Sequence, residues 1–446
     1  MRFTLSSILI ILISISAIAQ EIPEQKTFQF NLQECLEYAY KNNDSLKNAQ
    51  LDIESAKYKV KETIGIGLPQ ISGSASLQDF LKIPTTLIPG DFFDRPGEFV
   101  PVKFGVKYQS SAGLTLSQLL FNGSYLIGLK ASKTFKELSE RNFNRTKAAT
   151  TIAVTKAYYQ VLVSNEQAAL LDANISQLSQ QLKETTELNK QGFVEKIDLD
   201  RLRVIYNNLV TTRENVLRSL LLANYVLRFQ IGMPATANLS VKDKIADIKV
   251  ENDISLQADT SAYKKRYEYG LVETSGKLNA LNLRRIKSEY LPTLAAFGSS
   301  SYNFQADKFG NLYDRKFPTS LIGLQLNVPI FSGFQRYYQV KQAQIEVQKS
   351  ANVLNTVKNG LLLQQDASRI TYQNSIKSLN NQKANMELAK EVLRVSKIKY
   401  KEGVGSSIEV TQAQTELETS ENNYIQALYN ALVSKVDLDN AYGRIQ

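Results

Sequence analysis

The chain has no histidine, one cysteine and three methionines among its 446 residues. Without histidine it lacks the commonest general base and metal-binding side chain, so a transition-metal site is not expected. No metal-ligand spacing and no nucleophile motif stands out either. No catalytic residue, no metal site and no cofactor is therefore assigned, and the chain does not read as an enzyme. Cys35 has no partner for an internal disulfide and reads as a small buried residue on the first helix. Past residue 20, no apolar run approaches the roughly 18 residues of a membrane helix. Proline is missing from two long stretches: 125–191 has none and one glycine, Gly128, and 335–402 has none and one glycine, Gly360. Basic residues exceed acidic ones, 53 to 43, but the two signs are interspersed. Without a basic stripe, nucleic acid is not an expected partner.

The first residues are different in kind. Arg2 precedes an apolar stretch from Leu5 to Ile15, and Ala17-Ile18-Ala19 follows before Gln20. This is the pattern of a secretory signal peptide, residues 1–19, cleaved after Ala19. The mature chain is expected to leave the cytoplasm.

What is present is repetition. Leu68-Pro69-Gln70-Ile71 returns as Leu291-Pro292-Thr293-Leu294, and Leu120-Phe121-Asn122-Gly123 as Ile330-Phe331-Ser332-Gly333. Lys190-Gln191-Gly192 returns as Lys401-Glu402-Gly403, and Phe229-Gln230-Ile231-Gly232 as Asn440-Ala441-Tyr442-Gly443. The offsets are 223, 210, 211 and 211, so the extra residues of the first copy lie between Leu68 and Phe121. Two tandem copies imply an architecture built by repetition. The first copy is placed at 20–234, a linker at 235–262 and the second copy at 263–446. Each copy is expected to run helix, β-hairpin (about 69–121 and 292–331), long helix, tip turn, helix.

The proline-free stretches predict helices of about 65 residues, roughly 100 Å each at 1.5 Å per residue. After each glycine turn, residues recur at intervals of seven. Val410, Leu417, Tyr424, Ala431 and Leu438 form one seam, and Ala413, Ser420, Ala427, Ser434 and Ala441 a smaller one; Leu202, Leu209, Val216 and Ala223 repeat the pattern earlier. Two seams suit helices touching neighbours on both sides, as in a multi-helix wall, although a plain two-helix hairpin has the same local spacing.

Other segments alternate with period two. Ile71, Gly73, Ala75 and Leu77 oppose Ser72, Ser74, Ser76 and Gln78; Val106, Tyr108, Ala112, Leu114 and Leu116 oppose Lys107, Gln109, Ser111, Thr115 and Ser117. Ile322, Leu324, Leu326, Val328 and Ile330 oppose Gly323, Gln325 and Asn327, and Leu294, Ala296, Gly298, Tyr302 and Phe304 make a weaker set. One apolar and one polar face per strand fits a transmembrane barrel strand, and equally a half-buried sandwich strand. Connections 79–105 and 305–317 read as loops. Four strands cannot close a barrel, and a bilayer tolerates no open edge, so the barrel reading requires oligomerisation; a trimer would supply twelve strands. Pro69 and Pro292 on the way into the strands, and Gly123 and Gly333 on the way out, mark joints between strand and helix.

These residues resemble the TolC-type outer membrane channel family over nearly the whole mature chain. The resemblance rests on Tyr290-Leu291-Pro292, on Pro329 to Gly333, on Tyr400 to Val410, and on a first helix running from Asn31-Leu32 through Cys35-Leu36 to Asn42-Asn43-Asp44-Ser45-Leu46. It implies an α+β membrane protein: a homotrimer with four β-strands per protomer in a shared 12-stranded outer-membrane β-barrel, continued by a long periplasmic α-helical barrel. It implies a passive exit duct of a tripartite export system in a Gram-negative bacterium, with outer membrane lipid, a periplasmic adaptor and an inner-membrane pump as partners. It also implies a periplasmic tip closed where Gly192-Phe193 and Gly403-Val404 turn, with those residues facing the adaptor. Tyr400 and Asp198 match the family's closing latch, and Glu409 an acid facing the pore; Gly405 stands where some members have arginine. Three copies of Glu409 around a narrow axis would draw cations in. Asp198 and Glu409 are also ordinary helix N-terminal acids, and Tyr400 is spaced to pack with Leu379, Met386 and Leu393. The competing reading is a secreted or surface structural coiled-coil or adhesive protein without a pore, which leaves the alternating strands unexplained.

Overall fold

The structure is a computed structural model; it describes residues 27–94, 96–245, 248 and 261–445. The expected signal peptide lies outside the described residues, as does the 249–260 part of the linker. The chain divides into two compact units, one made of residues up to 49, 143–266 and 359 onward, the other of 50–142 and 267–358.

The second of these units holds the sheet. Strands β2 (Gln70–Asp79), β5 (Tyr108–Phe121), β7 (Thr293–Ala306) and β8 (Lys316–Asn327) form one four-stranded sheet in the order β2-β5-β7-β8, antiparallel throughout. The two hairpins are joined by the β5–β7 pair, whose register shifts between Leu119 and Phe121. β8 stops at Asn327, short of the alternation that continues to Ile330, because Pro329 has no N–H to give a ladder. The first connection is more than a loop. Within it β3 (Thr85–Pro89) pairs antiparallel with β4 (Phe99–Lys103), a short ribbon rich in β-branched residues, with Pro89 ending β3 and Pro101 in the middle of β4. Helices α2 (Asp44–Ile66), α3 (Gly123–Lys190), α5 (Tyr267–Ser288) and α6 (Gln335–Lys401) supply the rest of this unit, with α2, α3 and α6 contributing residues to both.

α3 and α6 are single helices of 68 and 67 residues. Nothing in either segment interrupts the i to i−4 ladder, since proline is absent and the one glycine in each interior, Gly128 and Gly360, costs only about 1 kcal/mol.

Among the described residues the other unit is helical apart from one small pairing. β1 (Thr27–Phe30) runs parallel to β6 (Asn238–Val241), which lies inside the segment read as linker. Helix α1 (Leu32–Asn42) begins in a capping box: the Glu34 N–H donates to Asn31 Oδ1 at 2.8 Å, and the Asn31 N–H donates to Glu34 Oε2 at 2.7 Å. Cys35 and Ala39 on its inner face are fully buried. They pack with Val154, Tyr158 and Leu162 of α3 and with Leu227 and Ile231 of α4 (Lys196–Ile231). The Tyr158 hydroxyl donates to Asp243 at 2.8 Å, which pins the segment after β6.

Helix α7 (Ser407–Ala441) completes the unit. Its two seven-residue seams are buried at every position except Tyr424, which is half-buried, and Leu202, Leu209, Val216 and Ala223 of α4 are buried too. The ends of α4 and α7 are built alike. The Gly232 and Met233 N–H groups donate to Phe229 and Arg228 carbonyls; 211 residues on, Gly443 and Arg444 donate to Asn440 and Asp439. A side chain also donates to a carbonyl at each end, a further one in α4 and the Gly443 acceptor itself in α7. Asn43 Nδ2 donates to Gln230 O, and Arg266 Nη1 to Asn440 O, both at 2.8 Å. The backbone cap recurs, while the side-chain donor changes from amide to guanidinium and the carbonyl it reaches shifts by one residue.

Candidate functional site

The sheet sorts its side chains as alternation requires. The register aligns Ile71 with Leu116 and Gly298, and Gly298 with Ile322, on one face. It aligns Ser72 with Thr115 and Ser299, and Ser76 with Ser111 and Asn303, on the other. The first face leaves large apolar residues in the open: Ile322 is 92% exposed, Ile71 72% and Leu324 70%. The second is laced by hydroxyls and amides, with Ser76 bonded to Ser111 at 2.9 Å and Asn303 Nδ2 donating to Thr319 Oγ1 at 3.1 Å. Apolar surface on this scale is not stable against water and needs an apolar surround. A polar opposite face suits a water-filled interior. Both outer strands, β2 and β8, have one edge with no strand paired to it among the described residues.

The joints use different means to the same end. Pro69 and Pro292 each stand directly before a strand, β2 and β7. Gly333 turns the chain with φ +60°, and Phe334 after it keeps φ +63°. Gly123 has no left-handed backbone. It is needed for closeness: a Cβ there would come within 2.8 Å of Leu291 Cδ1 and 3.1 Å of Ser288 Cβ. Asn122 caps α3 by accepting the Tyr125 N–H at 2.9 Å.

The tip is a pair of matched turns. α3 ends with Gly192 (φ +81°) donating to Asn189 O at 3.0 Å and Phe193 donating to Leu188 O at 3.0 Å. α6 ends with Gly403 (φ +76°) donating to Tyr400 O at 3.1 Å and Val404 donating to Lys399 O at 3.0 Å. Both are Schellman caps with glycine at the left-handed position. Each throws the following apolar side chain into solvent, Phe193 at 76% and Val404 at 79% exposure. Gly405 is fixed by contact: a Cβ would meet Lys399 Cβ at 2.9 Å and Tyr400 N at 3.0 Å.

Of the expected gate residues, Asp198 lies in the first turn of α4, half-buried, where the helix N-terminus favours its charge. Its carboxylate accepts the Ser407 hydroxyl of α7 and pairs with Arg201 at 3.3 Å. Tyr400 packs against the cluster of Met386, Ala389, Leu393, Val410, Ala413 and Leu417. Burial first, and then the nearby Asp198 charge, push its phenol pKa up. Glu409 is exposed in the first turn of α7, and its N–H donates to Ser406 Oγ at 3.3 Å.

Two groups of this region were not anticipated from the sequence. Ser407 is one; an isolated serine at a helix start reads as capping. Glu421 is the other, 7% exposed, with Oε2 accepting Asn174 Nδ2 at 2.6 Å. A signal existed for it: Glu421 fills the inward slot four residues after Leu417 and four before Ile425, where an apolar residue belongs.

The family model described as outer membrane efflux protein matches residues 35–208 and 282–444. The chain belongs to that family. It is 22% identical to the outer membrane protein TolC of Salmonella enteritidis over 93% of its own length and 82% of that protein's. It is 20% identical to the outer membrane efflux protein BepC of Brucella suis, over 91% and 84%. The Campylobacter jejuni CmeC outer membrane channel has the same fold, with TM-score 0.75 at 18% identity over 93% of this chain and 85% of that one. As an outer membrane efflux protein, the chain is an exit duct of the outer membrane whose helical part is periplasmic. The family is one of channels and not an enzyme class, and the rod-like adhesive reading is set aside.

Proposed function

We propose that three copies of this chain join edge to edge, β8 of one against β2 of the next, and close a twelve-stranded barrel around water. The carrying observation is a four-stranded sheet with two unpaired edges, one exposed apolar face and one polar face. A bilayer cannot accommodate the open edges, and a closed ring of copies removes them. Recurrence of the strand pairs, the tip caps and the helix ends at near-constant offset supports two structural repeats per protomer. The helical parts of three copies then line one duct, coupled to an inner-membrane pump through a periplasmic adaptor.

In this reading Gly192-Phe193 and Gly403-Val404 are the adaptor's landing points, because an apolar side chain held outward on a rigid cap is a ready anchor for a partner. Asp198 belongs to the closure of the tip, Tyr400 packs beside it within the α6–α7 cluster, and Glu409 belongs to the ring of charge at its mouth. Pro69, Gly123, Pro292 and Gly333 are the joints between strand barrel and helices. The test is the mass and conductance of the purified protein. A detergent-extracted trimer that gives discrete conductance steps in a planar bilayer is expected. A protein that is monomeric and soluble without detergent refutes the proposal.

A further inference from the structure

We infer that Ser407 holds the tip closed, by tying the first turn of α7 to the first turn of α4 through Asp198. The inference rests on the reading of the tip as a gate and names the group that latches it.

The apolar clusters divide the helices into two pairs toward the turns. Leu171, Leu178, Leu202, Ile205 and Leu209 join α3 to α4. Met386, Ala389, Leu393, Val410 and Leu417 join α6 to α7. Farther from the turns the pairs share one cluster, in which Val163 of α3 packs with Tyr372 and Ile376 of α6 and Ile425 and Leu428 of α7. The change falls at Asn174 and Glu421, the level of their buried hydrogen bond. From there to the turns, the buried clusters of the described residues each stay within one pair. Parting the two pairs at the tip therefore uncovers no shared apolar cluster. Polar ties have to set the balance.

The tie at the tip is the Ser407 hydroxyl donating to Asp198 Oδ1. The acceptor is ionised and half-buried, which makes the bond stronger than one between neutral groups in water. Arg201, three residues along α4, bonds the same oxygen at 3.3 Å and holds the carboxylate toward its partner. Among the described residues, Ser407 and Arg201 are the side chains that donate to Asp198. Arg201 stands on Asp198's own helix, so only Ser407 connects the pairs. Tyr400, by contrast, has its ring in the α6–α7 cluster, on one side of the divide.

The experiment reads α4-to-α7 separation and conductance on the same detergent-solubilised protein. Spin labels are placed at Asp200→Cys and Thr415→Cys, both exposed sites, and labelled protein is mixed with excess unlabelled protein so that distances within one protomer are measured by pulsed EPR. The native Cys35 is buried, with its thiol pushed up to about 12 by burial, and does not take the label. Ser407→Ala should raise the separated population by about tenfold per protomer (about 1.4 kcal/mol), as loss of one hydrogen bond to a charged group implies. Asp198→Asn should do the same, the double substitution should add little, Ser407→Thr should restore the closed distribution, and Tyr400→Phe should leave it as in the wild type. Closed-state conductance should rise in the same variants. A Ser407→Ala protein that melts cooperatively with an unchanged distance distribution overturns the inference, as does a Tyr400→Phe protein that alone reproduces Asp198→Asn. Distances that widen with no conductance in any variant support the tie and refute the channel reading that gives it a gating role.

Discussion

Leu114 and Thr115 are neighbours in the middle of the fourteen-residue strand β5 and point to opposite faces. Leu114 stands opposite Gly73 on β2 and Ser300 on β7, so nothing bulky covers it, and it is 61% exposed. Thr115 stands opposite Ser72 and Ser299 on the polar face. If the apolar face meets lipid, Leu114→Lys puts an ammonium near the bilayer midplane at about 2–4 kcal/mol per protomer, hence about 6–12 kcal/mol for three copies. Thr115→Lys puts the same charge into water and costs little, while making the interior more attractive to anions. The assay is the fraction of protein that reaches the membrane as a trimer resistant to mild detergent, followed by the reversal potential in a salt gradient. Leu114→Lys should be nearly absent from the membrane fraction; Thr115→Lys should assemble and shift the reversal potential toward anion preference. A reversed pattern, with Thr115→Lys lost and Leu114→Lys assembled, refutes the assignment of lipid and water to these faces. Equal assembly of both refutes the barrel, because a one-residue step along a strand would then have no physical consequence.

Three further outcomes follow from the helical unit. Glu421 has its pKa raised by burial, with Glu418 adding to this and Asn174 and Lys390 opposing it, so the folded state favours the neutral acid. That contribution is present below the ordinary value of 4.5 and is lost as pH rises through the raised one. Glu421→Gln should therefore raise Tm at pH 8 and converge on the wild type below pH 4.5; a variant that is less stable at pH 8 counts against the burial account. Gly403→Val forces a β-branched residue into φ +76° and should cost about 1–2 kcal/mol locally, unwinding the end of α6 and weakening adaptor capture, which pull-down with the cognate adaptor measures. Glu409→Gln should lower cation preference in the bilayer, and an unaltered reversal potential means that Glu409 does not line the mouth.

The elements that could be read from the chain alone are those in which one local rule acts without competition. Absence of proline over 335–402 lets one helix of 67 residues satisfy its own backbone groups without interruption. Ile71, Leu114 and Ile322 fall on one face because period two admits no other arrangement once the segments are strands. Repetition made the tip legible too, since a glycine recurring at 192 and 403 points to a backbone need, which both caps display. Features set by partners distant in sequence were invisible. β1 and β6 are four residues each, too short for periodicity to register, and meet across more than two hundred residues. Gly123 looked like a torsional need and is a packing need, imposed by Leu291 and Ser288 from the other copy of the repeat. Ser407 and Asp198 lie 209 residues apart; the repeat matches Asp198 with the acid Glu409 but Ser407 with Lys196, so no recurring pair pointed to the tie. The repeat fixes the frame of the tip twice over, while the tie between its halves occurs once. The proposed gate uses this difference: two stiff helix pairs, separately cored toward the turns, supply the moving parts, and a single polar contact at the tip, weak enough to break without exposing a core, supplies the choice between closed and open.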